Sequence, residues 1–317
     1  MKKYILLLLF VTQFSGAKTV EDTIQNSFKS YERFLFKYDC DACGCSASGG
    51  GMGFNSILNQ NFVGIRYMNQ SYSSRDGLFN NSPWIDENFN TVQVWARIPI
   101  TEKIQVSALV PYHFHNRKLS TGKQNIDGLG DITVLGFYTI YQTKKDSAVF
   151  TNQLQLGGGL KAPTGKYDTE NKGSVNPSFQ VGTGSWDYIL AVEHTIKRKN
   201  IGLNSMLNYT FKTENQDHYQ FGNQLSYGTA VFYEFEKESF KIVPQAGIAG
   251  ETYATNKIYG EDIRDTKGDI LFGKVGVEAG KDRFSFGVNA MLPISQNLTG
   301  GRVEANYRWS VNLNYSL

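Results

Sequence analysis

The chain has 317 residues and a formal net charge of +3, a balance without the basic excess that a nucleic-acid partner would require. Its 32 glycines against 7 prolines, with 18 tyrosines and 21 phenylalanines, favour aromatic-rich strands with glycine where strands bend or crowd. No run of about 18 apolar residues is present, which excludes a transmembrane helix; the mean hydropathy of -0.36 still fits a membrane barrel, whose apolar residues need only occupy alternate positions.

Residues 1–17 read as a secretory signal. Lys2 and Lys3 form its basic start, residues 5–11 its apolar core, and Ser15-Gly16-Ala17 a small-residue cleavage site. Removing it takes away two lysines and lowers the net charge from +3 to +1. No cysteine lies at the cleavage point, which argues against a lipid-anchored start. For an exported chain without membrane helices, a closed barrel is the remaining way to cross a bilayer, because every backbone polar group in lipid must be paired.

Residues 18–55 form a separate N-terminal segment. Ile24, Phe28, Tyr31, Phe34, Leu35 and Tyr38 recur at helical spacing, with Thr19 or Asp22 as caps, and predict a helix. Cys40-Asp41-Ala42-Cys43-Gly44-Cys45 and a glycine-rich stretch over 46–53 follow. Three thiols within six residues fit a soft metal, Cu(I) or Zn(II). In an oxidising periplasm, two of them would instead pair as a disulfide and leave the third over. Both readings stay open. The segment is too short for a core of its own and is expected as a periplasmic extension or a piece in the barrel mouth.

From residue 56 to 317 the pattern predicts an all-β, transmembrane antiparallel barrel. The expected strands are 57–70, 89–100, 104–113, 129–143, 148–162, 177–196, 201–212, 219–235, 240–252, 269–280, 284–294 and 303–317. Short charged connections alternate with longer ones rich in Asn, Gly, Asp and Thr, the asymmetry of short periplasmic turns and long external loops. The strands number twelve if Gly182-Thr183-Gly184-Ser185-Trp186-Asp187 is a kink in one long strand, the preferred reading; a turn there would lead towards fourteen.

Facing follows from the period of two. Val92, Val94, Ala96, Ile98 and Ile100 would meet lipid, leaving Thr91, Gln93, Trp95 and Arg97 inside. Ile104, Val106, Ala108 and Val110 oppose Gln105, Ser107 and Leu109 in the same way, and Leu271, Val275 and Val277 oppose Lys274 and Glu278. An Arg or Lys at midplane depth on the lipid face costs about 2–4 kcal/mol. The candidate pore-lining set is therefore Arg66, Arg97, His113, His115, Lys161, Lys274, Glu278, Glu304 and Arg308, with Lys241 and Glu251 also expected inside. Its mixed sign argues against a dedicated ion-selective porin. His113 and His115 share a face and could ligate one metal, although a polar rim role is the simpler reading; His194 and His218 stand alone. No spacing couples a nucleophile to a base, and the acidic loop of Asp262, Asp265 and Asp269 reads as solvated surface, so no catalytic residue is expected.

Three stretches carry a family resemblance: Gly128-Leu129-Gly130-Asp131, the run from Gly157 through Lys161 to Pro163-Thr164-Gly165-Lys166-Tyr167, and Pro177-Ser178-Phe179-Gln180-Val181 leading to Asp187. Together they resemble the outer-membrane proteins named for the MetA pathway of phenol degradation, grouped with fatty-acid and hydrocarbon channels. The resemblance implies an envelope channel for small, often aromatic or apolar, molecules. It does not extend to the cysteine segment.

In the last strand every odd position from 303 to 317 is apolar and every even one polar, longer than the ~9–11 residues a spanning strand needs. Its terminal Tyr315 and Leu317 resemble the signal read by the barrel-assembly machinery. The expected location is the bacterial outer membrane, with lipid and a small solute as further partners. Two functions remain: a channel, with the N-terminal segment occluding its lumen, or a non-transporting envelope protein whose cysteine segment binds a soft metal or a periplasmic partner.

Overall fold

The computed structural model describes residues 56–75, 82–119, 122–143, 150–168, 176 and 178–317. The signal, the N-terminal helix and the Cys40, Cys43 and Cys45 cluster lie outside the described residues.

Twelve antiparallel strands close into one barrel. They are β1 (Phe62–Arg75), β2 (Trp84–Pro99), β3 (Ile104–Leu119), β4 in two pieces (Gly122–Leu129 and Ile132–Gln142), β5 (Thr151–Ala162), β6 (Asp187–Arg198), β7 (Ile201–Lys212), β8 (Gln224–Tyr233), β9 (Phe240–Tyr253), β10 (Gly268–Lys281), β11 (Phe284–Leu298) and β12 (Val303–Ser316). Each pairs with its chain neighbours, and β1 pairs with β12 from Phe62↔Ser316 to Ser74↔Val303, so no edge is left. Tight turns at the short-connection end use positive φ at Lys199 and Asp282 (52° and 54°). At the long-loop end a small sheet of Tyr219–Gln220, Lys257–Ile258 and Glu261–Asp262 packs Tyr219, Phe221 and Ile263 against Tyr167 and Ile258.

The wall alternates as a membrane barrel must. Val94, Ile98, Leu190, Leu207, Val275 and Leu313 are exposed on the outside, while Thr91, Gln93, Trp95 and Arg97 of β2 and Gln105, Ser107 and Leu109 of β3 are buried inside. Three expectations need correction. Residues 178–186 are neither a kinked strand nor a strand turn: β6 begins only at Asp187, and Ser178, Phe179, Gln180, Thr183 and Ser185 are buried inside the barrel. The supposed loop over 114–128 is mostly hairpin, because β3 runs on to Leu119 and pairs with Gly122–Leu129. The third concerns β12, where Ser71 faces Tyr307 but Tyr72 faces Ala305. Asn306 is thus an extra residue, a β-bulge that exchanges the two faces. Arg308, Ser310, Asn312 and Asn314 point in below it, Val303 and Ala305 point in above it, and Glu304 stands exposed on the outer face.

Candidate functional site

Among the described residues, the lumen is where charged side chains are buried in quantity. Of the residues picked out from the pattern, Arg66, Arg97, His113, His115, Lys161, Glu278 and Arg308 are buried within it, together with Glu251. Lys274 lines an interior cavity. Lys241 sits half exposed at the short-turn rim, paired with Glu234 and Glu236. Glu304, for the reason given, is not inside.

Most of the interior charges are neutralised by partners, some on the neighbouring strand and some across the lumen. Arg97 donates from Nη1 to Glu193 Oε2 at 2.7 Å, from Nε to Gln105 Oε1 at 3.0 Å and from Nη2 to Gln155 Oε1 at 3.0 Å. Arg308 donates to both oxygens of Glu251, at 2.6 and 2.9 Å, and to the Tyr72 hydroxyl. Arg117 lies 3.6 Å from Glu87. Arginines also stack on aromatic faces: Arg97 on Phe137 at 4.3 Å, Arg66 on Trp95 at 4.5 Å, Arg117 on Phe179 at 4.4 Å and Arg308 on Phe272 at 4.4 Å. A guanidinium held this way spends its charge on a carboxylate and an aromatic quadrupole, leaving a lumen wall of low net charge.

The three motif stretches meet at one point in the long-loop half. Lys161 Nζ lies 2.6 Å from Asp187 and 3.3 Å from Asp131, and donates to Thr183 Oγ1 at 2.8 Å. Asp131 in turn accepts the Gly165 N–H at 2.9 Å and both the N–H and the hydroxyl of Thr183, at 2.9 and 2.8 Å. The motif glycines leave room for close neighbours: a Cβ on Gly182 would lie 2.4 Å from the Gly165 backbone, and one on Gly130 would lie 2.3 Å from the His113 side chain at Nε2. This knot ties the inward segment to β4, β5 and β6. None of Asp131, Thr183 or Asp187 was singled out from the pattern, although each stands in or beside a quoted motif.

His113 and His115 are brought together, with rings 4.8 Å apart, but as wall rather than ligand pair. His113 Nδ1 is 2.8 Å from Thr91 Oγ1, and His115 Nδ1 accepts the Asn90 N–H at 3.2 Å. Among the described residues no group of three or more His, Cys, Asp or Glu is arranged to hold a metal.

Phe179, carried inward on this segment, closes an apolar girdle. It packs with Met68, Tyr72, Phe89, Tyr253, Ile270, Phe272 and Met291, all lumen-facing and buried. A second apolar cluster, Phe62, Trp95, Leu109, Leu135, Phe137 and Ile189, lines the other half on the side of β1 to β6. Towards the short turns, cavities of about 30 and 60 Å³ are bordered among the described residues by Ile57 and Asn204, the larger walled mainly by amides and hydroxyls.

Outside the spanning strands, at the short-turn rim, Glu234 contacts the ammonium groups of Lys197 and Lys241. Partial burial would raise its pKa, but the two lysines outweigh that and hold the carboxyl below its usual value.

Comparison with known proteins agrees with this architecture. The family described as "Putative MetA-pathway of phenol degradation" matches residues 84–314. The crystal structure of the COG4313 outer membrane channel from Pseudomonas putida F1 superposes with a TM-score of 0.63 at 13% identity, over 83% of this chain and 97% of that one. The β domain of the Bordetella autotransporter BrkA gives a TM-score of 0.46 at 11% identity, over 82% of this chain and 100% of that one. No curated protein matches the chain. A closed barrel with an apolar outer belt belongs in the bacterial outer membrane. With most of its length matched, the chain belongs to the outer-membrane family named for the MetA pathway of phenol degradation.

Proposed function

We propose that the barrel is an outer-membrane channel for small solutes of aromatic or apolar character. The observation that carries this reading is the girdle of Met68, Tyr72, Phe89, Phe179, Tyr253, Phe272 and Met291 across the lumen. General porins keep a polar, water-filled interior. An apolar constriction dewets and resists ions, while an aromatic solute crossing it exchanges one set of apolar contacts for another. The neutralised charges around the girdle support the same reading, since they offer an ion no attractive field. The family description, which names phenol degradation, and the channel named in the solved structure are consistent with it.

The test is uptake. Cells expressing the chain should accumulate a labelled monocyclic phenol faster than cells without it, with no matching gain for a sugar of similar mass, and Phe179→Ala should add sugar and ion leakage. Equal gains for sugar and phenol would remove the apolar selectivity. No gain for any solute would favour the rival reading, a non-transporting barrel with a filled lumen. In that case the cysteine segment would carry the function.

A further inference from the structure

The pairing of β2 with β3 lapses beside the girdle. It runs from Asp86↔Lys118 to Asn88↔Asn116 and resumes at Thr91↔His113, leaving Phe89 and Asn90 outside the ladder to β3. Side chains fill the gap. Asn90 Nδ2 donates to the Phe114 carbonyl at 3.1 Å, and the Asn90 N–H donates to His115 Nδ1 at 3.2 Å.

That second bond fixes the state of the imidazole. A ring nitrogen that accepts a backbone N–H carries no proton of its own, so His115 is neutral and its proton sits on Nε2. Nδ1 faces the β2 backbone, and Nε2, across the ring, faces away from it. Nε2 is buried and has no hydrogen-bond partner among the described residues; the whole residue is 1% exposed. Its ring lies 4.9 Å from Phe89, 6.3 Å from Phe179 and 4.8 Å from His113. Across the β3–β4 hairpin it pairs with Ile126, which packs against the girdle. An unmet N–H donor thus stands among the apolar side chains that a solute must pass.

A buried donor left unmet is costly, and an aromatic face returns only part of that cost. An oxygen entering the girdle has the complementary need: it gives up its hydrogen bonds to water, and Nε2–H stands where it can replace one. A hydrocarbon of the same shape has nothing to exchange. We infer that His115 determines specificity at the girdle, its Nε2–H receiving the oxygen of an aromatic solute such as an aryl ketone or a phenol. Oxygen-bearing aromatics are thereby favoured over hydrocarbons. The inference rests on the channel reading and names the solute class within it. Phe179 stands on the inward segment and not on a strand, so its ring is the one whose displacement opens a way to Nε2 while the sheet stays closed.

Acetophenone and ethylbenzene test this, because they share a skeleton and differ in one carbonyl oxygen. Both are titrated in detergent against the full-length protein, its histidine ring nitrogens isotope-labelled and followed by NMR, and protein-dependent uptake of each is measured in cells. His115→Phe keeps a ring without the donor. His115→Gln keeps an amide able to accept the Asn90 N–H and to donate in its turn. Acetophenone should shift the Nε2 signal that the variants lack, and ethylbenzene should leave it in place. One neutral hydrogen bond at the constriction is worth roughly three- to tenfold in rate. Acetophenone uptake should fall by about that factor in His115→Phe and stay nearer the wild type in His115→Gln, with ethylbenzene uptake unchanged in both. Heat-modifiable migration establishes that each variant has folded, and the wild-type titration decides the matter if His115→Phe does not fold. An Nε2 signal indifferent to acetophenone overturns the inference, the donor being spent on the Phe89 ring. So does a His115→Phe protein with the wild-type ratio of acetophenone to ethylbenzene uptake, an outcome that leaves the channel reading standing. No protein-dependent uptake of either solute sinks the channel reading and the selectivity with it.

Discussion

Arg308 of β12 and Glu251 of β9 meet across the lumen as a two-pronged pair, Nη1 to Oε1 at 2.6 Å and Nη2 to Oε2 at 2.9 Å, with the Tyr253 hydroxyl donating to the same carboxylate. Both residues are at most 3% exposed. Burying two charges is costly, and a pair of this kind roughly offsets its own desolvation. Its energetic weight therefore shows when one partner is missing. Glu251→Leu alone should destabilise the folded barrel by about 3–5 kcal/mol, because Arg308 is left as an uncompensated buried charge. The double variant with Arg308→Met should recover most of the loss. Urea unfolding in phospholipid vesicles, followed through tryptophan fluorescence, measures the coupling; additive losses would mean that the two side chains act independently.

A similar test at the rim has a pH signature. Glu234 is held below the usual carboxylate pKa by Lys197 and Lys241. For a carboxyl with a depressed folded-state pKa, the stabilisation is present above the unfolded value and is lost as pH falls through the folded one. Glu234→Gln should therefore be less stable than the wild type at neutral pH. The two should converge below the ordinary carboxylate range. A difference that persisted unchanged into strong acid would assign the loss to packing instead.

How far the sequence carries depends on what interrupts its period. In β2 and β3 the alternation of Val92 to Ile98 and Ile104 to Val110 is unbroken, and the faces follow directly. The strand limits were less legible where both faces are polar: Asn116 and Lys118 alternate with His115 and Arg117, so the hairpin from β3 into β4 carries no hydrophobic rhythm. The inward segment is illegible for another reason. Ser178 to Asp187 mixes glycine, hydroxyls and two aromatics, and tertiary partners, Lys161 and Asp131 among them, decide that it turns into the lumen. Charge partners are hidden by distance: Glu193 lies on a face shared with Ile189 and Ala191, and nothing local joins it to Arg97.

The bulge at Asn306 gives a sharp discrimination between neighbours. A strict period of two puts Glu304 inside and Val303 outside, whereas the pairing of Ser74 with Val303 and Tyr72 with Ala305 reverses them. Glu304→Lys should then change stability by no more than about 0.5 kcal/mol, as an exposed substitution does. Val303→Lys places an ammonium against Leu298 and Ile270 and should cost several times as much. Equal effects at the two positions would remove the bulge. Deleting Asn306 should instead give a strand of unbroken alternation that keeps Val303 and Ala305 inside and Glu304 outside, and so should be tolerated better than Val303→Lys.

The Lys161 knot makes the strongest prediction about the channel, because it links the family motifs to the position of Phe179. Lys161 is the only cation contacting both Asp131 and Asp187 among the described residues, and the same ammonium holds Thr183 of the inward segment. Lys161→Met leaves two buried carboxylates facing each other without a cation between them. They must then take up a proton, draw in water or move apart, and the segment carrying Thr183 is the part free to move, since the aspartates stand on β6 and at the head of a β4 piece. Asp131 alone would still accept the N–H and hydroxyl of Thr183, so the segment should loosen without the barrel unfolding. The expected signs are new protease cleavage within residues 178–186 and a higher, noisier ion current, the girdle having lost the support that keeps Phe179 against Phe89. Adding Asp187→Asn to Lys161→Met removes one of the facing charges and should quieten the current again. A Lys161→Met protein that resists cleavage and conducts as the wild type does would show that Phe179 is kept in place by its aromatic neighbours alone, and the motif residues would then owe their arrangement to folding rather than to control of the lumen.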